Sequence, residues 1–188
     1  MTNYSKQTAA ILAGLKRSQF DELSEALYLT QCFHYESAED AERRFIEPRD
    51  DEFVYARYGS PTVSMFDDRI CAIEGAEAAF STASGMAAVS GALMSLLEAG
   101  DHVVSARALF GSCHYVVDSI LSKFGVEVTF VNGSNIDEWR SAVRDTTKVV
   151  FFESIANPTL ELVDIAAVSE IARSVGAYVV VDNVFATP

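Results

Sequence analysis

The sequence predicts an α/β fold: a three-layer domain with a mainly parallel sheet and helices on both faces. Three observations predict it. Short apolar runs recur at 77–82, 103–106, 126–131, 148–153 and 177–182. Helical patterns fill the intervals near 85–98, 111–124, 135–144 and 164–175. Gly100, Gly125 and Gly176 stand where three of those helices should end. Strand–helix alternation with short loops is the signature of βαβ units. Ligands of such sheets bind beyond the carboxyl ends of the strands, so the residues following each strand are the candidates for function.

The elements follow in order. Residues 1–52 are polar and poor in glycine, and they carry the acidic run "ESAEDAERRFIEPRDDE". They read as an N-terminal arm, with the main domain from 53 to 188. Ser37 followed by Asp40 predicts a short capped helix ending before Pro48, and the charge run reads as a solvated face. In "YGSPTVSMFDDRICAIEGAE" Ser60 is a good N-cap, Pro61 suits the first turn and Gly75 suits the exit. Val63, Phe66, Ile70 and Ile73 fall on one face of that helix. Further on, Asn135 with Glu138 makes a capping box, and Asp164 is an N-cap.

Composition narrows the function. Of the 188 residues, 49% are hydrophobic, enough for a sizeable core. The net charge of −13 disfavours nucleic acid and anionic membrane surfaces, though not small anionic ligands. Cys32, Cys71 and Cys113 are odd in number and widely spaced, which argues against a disulfide framework or a structural metal. A reduced, cytoplasmic protein is expected. The opening residues lack the apolar core of a signal peptide, and no apolar run reaches membrane-spanning length.

Five places carry candidate chemistry. In "FSTASGMAAVSGALMSLL" small residues turn into a helix at Gly85. The exposed N–H groups of such a start suit an anion, although many helices begin with Ser-Gly. No G-x-G-x-x-G or G-x-x-x-x-G-K-[ST] occurs, so a dinucleotide or ATP site has no support. In "SARALFGSCHYVVDSI" Phe110 precedes a second loop-to-helix junction. It could stack on a planar ring or serve as an ordinary core Phe. Cys113 and His114 read as packing residues. In "VVFFESIANPTLELVD" the strand ends on Glu153, and the Asn157–Pro158 turn either offers an amide to a ligand or is simply a turn. In "GAYVVVDNVFATP" Asp182 follows four residues of buried-strand character. A carboxylate there needs a cation or several donors, and a protonated ring nitrogen would satisfy it. In "FVYARYGSPT" Tyr55 and Arg57 alternate on an extended segment, which suits a phosphate or a surface salt bridge.

Together, from about residue 45 onward, these phrases resemble the cystathionine γ-synthase-like pyridoxal-phosphate enzymes of cysteine and methionine metabolism. The resemblance implies the large domain of the aspartate-aminotransferase fold (fold type I), incomplete at its C-terminal side. It implies pyridoxal 5′-phosphate as cofactor. Ser84, Gly85 and Met86 would lie at the phosphate, the latter two through backbone N–H groups. Tyr55 and Arg57 would reach the phosphate of a neighbouring subunit, giving a dimer-built site in a homotetramer. Phe110 would stack on the pyridine ring. Asn157 would lie near the phenolic oxygen, close to Glu153, and Asp182 would pair with the ring nitrogen.

Three departures from the family pattern matter. Relatives carry Tyr where Phe110 stands, so any chemistry of that hydroxyl is lost. They read Asn-Pro-Thr where this chain has Ser60-Pro61-Thr62, which keeps the cap. The cofactor-binding lysine of the family belongs to a Ser-x-Thr-Lys phrase, and none of Lys6, Lys16, Lys123 and Lys148 has that context. That lysine is expected beyond Pro188, with the C-terminal domain, so no catalytic residue is assigned here. The chain alone is expected to be inactive. Within the group, "LFGS" is most like the branch that joins O-succinylhomoserine and sulfide to give homocysteine in methionine biosynthesis. The sister reactions are cystathionine formation and γ-elimination, and a non-catalytic α/β binding module is the reading of another class. The partners implied are an O-acylhomoserine and sulfide or a thiol, with no nucleic acid and no membrane.

Overall fold

The computed structural model describes residues 4–49 and 51–187; Asp50, inside the acidic run, lies outside them. The chain forms two compact units, one running to Ser81 and the other spanning Thr82–Thr187.

In the first unit α1 is Lys6–Leu12, α2 is Ala38–Ile46 and α3 is Pro61–Glu74. The expected caps are present. The Ser37 hydroxyl accepts from the Asp40 N–H at 3.1 Å, and the Ser60 hydroxyl accepts from the Val63 N–H at 3.3 Å. Gly75 closes α3 in the left-handed region, φ 69°. Two expectations are corrected. The acidic run is more than a solvated face, because Arg43 bridges Asp40 and Glu52 at 2.9 and 2.6 Å, and Arg44 binds Asp40 at 2.8 Å. The inner face of α3 is also not the one the apolar spacing suggests. Val63 and Phe66 are exposed, whereas Met65 is buried. The segment after α1 docks on that other side: the Lys16 N–H donates to Met65 Sδ, and Arg69 Nε donates to the Ala13 carbonyl.

In the second unit α4 is Gly85–Leu96, β1 His102–Ala106, α5 Gly111–Tyr115, β2 Glu127–Val131, α6 Ile136–Ala142, β3 Thr147–Glu153, α7 Ile165–Ser174 and β4 Tyr178–Asp182. A π-helical turn, Val116–Leu121, continues α5. The four strands pair in parallel in the order β2-β1-β3-β4. Side chains alternate across the sheet. Val103, Val149 and Phe151 pack with Leu93, Val117 and Leu121 on the α4–α5 side. Val104, Val150 and Phe152 pack with Trp139, Val168 and Ile171 on the α6–α7 side. The predicted three-layer α/β arrangement is therefore present.

The apolar run 77–82 is not a strand. It has no ladder partner among the described residues, and Phe80 is exposed. Hydrophobic spacing reports a preference for extension, but a strand also needs a neighbouring backbone to bond. The buried-strand character expected of β4 is likewise reduced. Among the described residues β4 pairs on one side only, with β3, and its residues are half-buried or exposed.

His102 opens β1 with its ring fully buried. Nδ1 lies 2.8 Å from Thr147 Oγ1, and Nε2 lies 2.9 Å from Thr129 Oγ1. Thr147 Oγ1 also accepts from the Arg144 N–H, so the neutral ring has a hydroxyl partner at each nitrogen. Burial, and then the Arg144 guanidinium, push the imidazole pKa down, against a smaller opposing pull from Glu127. With a folded value below the usual 6.5, the unfolded chain takes up the proton first as pH falls. This stabilisation is complete above about pH 6.5 and declines as pH drops toward the folded value, by up to about 1.4 kcal/mol per unit. His102→Gln should remove that part of the slope in denaturant unfolding between pH 7 and 5. A slope equal to the wild type's would contradict it.

Candidate cofactor-binding site

A cavity of about 690 Å³ opens at the carboxyl ends of β3 and β4. Ser84, Gly85, Met86, Phe110, Glu153, Asn157 and Asp182, all expected in the site from the sequence, line it together. They arrive from four places in the chain: the start of α4, the start of α5, the end of β3 with the loop after it, and the end of β4.

The helix start is shaped for an anion. The Ser84 hydroxyl accepts from the Ala87 N–H at 3.1 Å and leaves the Gly85 and Met86 N–H groups without a partner inside the helix. The 12-residue α4 places the positive end of its dipole at this point. A Cβ built on Gly85 would meet nothing within 4 Å, so the cradle is open.

The sheet supplies the carboxylates. Register pairs Phe151 with Val180 and Glu153 with Asp182. Phe151 and Val180 belong to the α4–α5 core, so the two acids, two residues further along, share that face. Like charges side by side on adjacent strands are unfavourable unless each is compensated. Glu153 is compensated: it is 2% exposed, Oε1 accepts from the Phe110 N–H at 2.6 Å, and Oε2 accepts from the Asn157 N–H at 2.7 Å. Asp182 is not. Its Oδ1 accepts from the Val184 N–H at 3.1 Å, whereas Oδ2 has the Cys113 thiol at 3.9 Å.

Cys113 is buried, and that burial, with the charges of Asp182 and Glu153 behind it, pushes the thiol pKa up to about 12. It stays protonated at neutral pH and is not poised as a nucleophile. Cys113, Glu153 and Asp182 converge within 4.8 Å. With both Glu153 oxygens engaged by N–H groups, the carboxylate left to serve a ligand is that of Asp182, and it suits a flat N–H⁺ group. A pyridinium fits Asp182, and a phosphate fits the α4 cradle.

Phe110 is 44% exposed, so it is no core residue; it walls the cavity just before α5. Asn157 is half-buried and precedes a cis Asn157–Pro158 bond. His114 packs, stacked on Phe130 with centroids 4.6 Å apart. Tyr55 and Arg57 belong to the first unit. Their segment is a turn rather than the extended stretch expected, because the Tyr58 N–H bonds the Tyr55 carbonyl at 2.9 Å. The Arg57 guanidinium lies over the Tyr55 and Tyr58 rings, 5.1 and 5.2 Å from their centroids. Arg57 forms no ion pair among the described residues. Sequence reasoning assigned nothing to Val180, Asn183, Val184 and Phe185, which also line the cavity. The strand-end rule that picked out Asp182 covers its neighbours equally.

Residues 7–188 match the family described as Cys/Met metabolism PLP-dependent enzyme. An O-succinylhomoserine sulfhydrylase of Mycobacterium tuberculosis (strain ATCC 25618 / H37Rv) is 52% identical over 98% of this chain and 45% of its own length. An L-methionine gamma-lyase of Fusobacterium nucleatum subsp. polymorphum is 41% identical over 98% of this chain and 47% of its own. A crystal structure from Campylobacter jejuni that holds an N'-pyridoxyl-lysine-5'-monophosphate superposes with a TM-score of 0.89 at 27% identity. That match covers 96% of this chain and 44% of the other. The chain thus spans less than half the length of the curated relatives it matches. Its sheet is part of the fold type I scaffold. The chain belongs to the pyridoxal-phosphate-dependent enzymes of cysteine and methionine metabolism.

Proposed function

We propose that the enzyme carrying this chain performs γ-replacement on O-succinylhomoserine, with sulfide as nucleophile and homocysteine as product, in methionine biosynthesis. The Cγ–O bond breaks, succinate leaves with the electron pair, and a Cγ–S bond forms, with no net redox change. The observation that carries the reading is the open Oδ2 of Asp182, facing the same cavity as the α4 cradle. Pyridoxal phosphate, when bound, supplies the electron sink for this chemistry. Gly85 and Met86 N–H groups with Ser84 hold its phosphate, Phe110 covers its ring, Asn157 serves the phenolic oxygen, and Asp182 keeps the ring nitrogen charged. Tyr55 and Arg57 serve the phosphate of a second copy, in a homotetramer of the cytoplasm. No helix among the described residues is long and apolar enough to cross a membrane.

The choice of substrate is supported by the 52% identical sulfhydrylase and by Phe110, which keeps stacking without a hydroxyl. The 41% identical lyase favours a second reading, γ-elimination. Assays of the enzyme with sulfide, with cysteine and without a thiol separate the readings. Homocysteine formation with sulfide should dominate. Oxo-acid and ammonia release of equal rate without a thiol would favour elimination and overturn the proposal.

A further inference from the structure

We propose that Glu153 is a positioning residue that braces both flanks of the cofactor ring through two backbone amides and does not itself touch the cofactor. It rests on the reading that this cavity takes pyridoxal phosphate. Glu153 ends β3, a strand buried along nearly its whole length, so its carboxylate is held by rigid structure. One oxygen takes the Phe110 N–H at 2.6 Å and the other takes the Asn157 N–H at 2.7 Å. These two residues come from different loops and wall the same cavity. Bonds of this kind to an ionised acceptor are among the stronger ones in proteins.

Phe110 has no polar side-chain atom, so nothing beyond its backbone and its ring's packing can fix where the ring stands. α5 begins only after it, without a side-chain cap bond at Phe110. Here each Glu153 oxygen faces one loop and takes one amide. Gln offers one oxygen and one NH₂, so in Glu153→Gln one amide loses its acceptor and meets a donor instead.

Two readouts test the brace. In apoenzyme hydrogen exchange, E153Q should speed exchange of the Phe110 or Asn157 amide by at least about tenfold, while amides of Val149–Phe152 keep their rates. After reconstitution with pyridoxal phosphate, the coenzyme absorbance should persist while its circular dichroism falls by half or more, because the ring is no longer held in one orientation. An E153Q enzyme with wild-type exchange and wild-type dichroism overturns the brace alone. A wild-type enzyme that takes up no coenzyme overturns the cofactor reading and the brace together. If E153Q does not fold, wild-type exchange decides. Phe110 and Asn157 amides should be slower than those of Gly111 and Thr159, and equal rates would contradict the proposal.

Discussion

Asp182→Asn should lower turnover of the enzyme by about 10²–10³-fold, the usual cost of removing one charged or dipolar group that stabilises developing charge. The substitution keeps shape and one acceptor oxygen, so the bond from the Val184 N–H at 3.1 Å can persist. It removes the negative charge that would hold a ring nitrogen protonated, and with it the driving force for moving electrons into the ring. The apoenzyme should not suffer. Asp182 stands beside Glu153 in register, and neutralising one of two adjacent acids relieves repulsion. The expected pair of results is therefore a large fall in kcat and an apoenzyme Tm no lower than the wild type's. Steady-state assays and thermal unfolding measure them. Lost activity with a lowered Tm would mean that Asp182 serves the fold instead.

Gly85→Asp should weaken pyridoxal-phosphate binding by about 10²-fold or more and leave the apoenzyme at least as stable. A Cβ at this position meets nothing within 4 Å, so the side chain has room. An acid in the first turn of a helix is favoured by the helix dipole, by about 0.3–1 kcal/mol. The same carboxylate occupies the approach to the Gly85 and Met86 amides. Two like charges 4 Å apart at a protein surface repel by roughly 4 kcal/mol, and a phosphate carries more than one. Titration of the apoenzyme with pyridoxal phosphate reads the affinity. Unchanged affinity would place the phosphate elsewhere. Gly85→Ala is the control, adding bulk without charge.

What could be read from the sequence follows the range of the physics involved. Caps are local, and Ser37, Ser60 and Asp164 each accept the N–H that their spacing predicts. Strand–helix alternation is nearly as local, and it sufficed to point at Gly85, Phe110, Asn157 and Asp182 as residues of one edge. Pairing is not local. Residues 77–82 have strand composition, but a strand needs a partner that composition cannot name. The brace from Glu153 to Phe110 spans 43 positions, and no periodicity reports it. The inner face of α3 was hidden for a similar reason: buried Met65 and half-buried Arg69 bond to Lys16 and Ala13, some fifty residues earlier. At Tyr55 and Arg57 alternation suggested extension, whereas the Tyr58–Tyr55 backbone bond closes a turn.

The pairing of Asp182 with a ring nitrogen is tested most directly by ¹⁵N NMR of the enzyme reconstituted with pyridoxal phosphate labelled at that nitrogen. The wild-type spectrum should show a protonated nitrogen at neutral pH and above, and the Asp182→Asn spectrum a deprotonated one under the same conditions. An unprotonated nitrogen in the wild type, or the same protonation state in both proteins, would contradict the pairing.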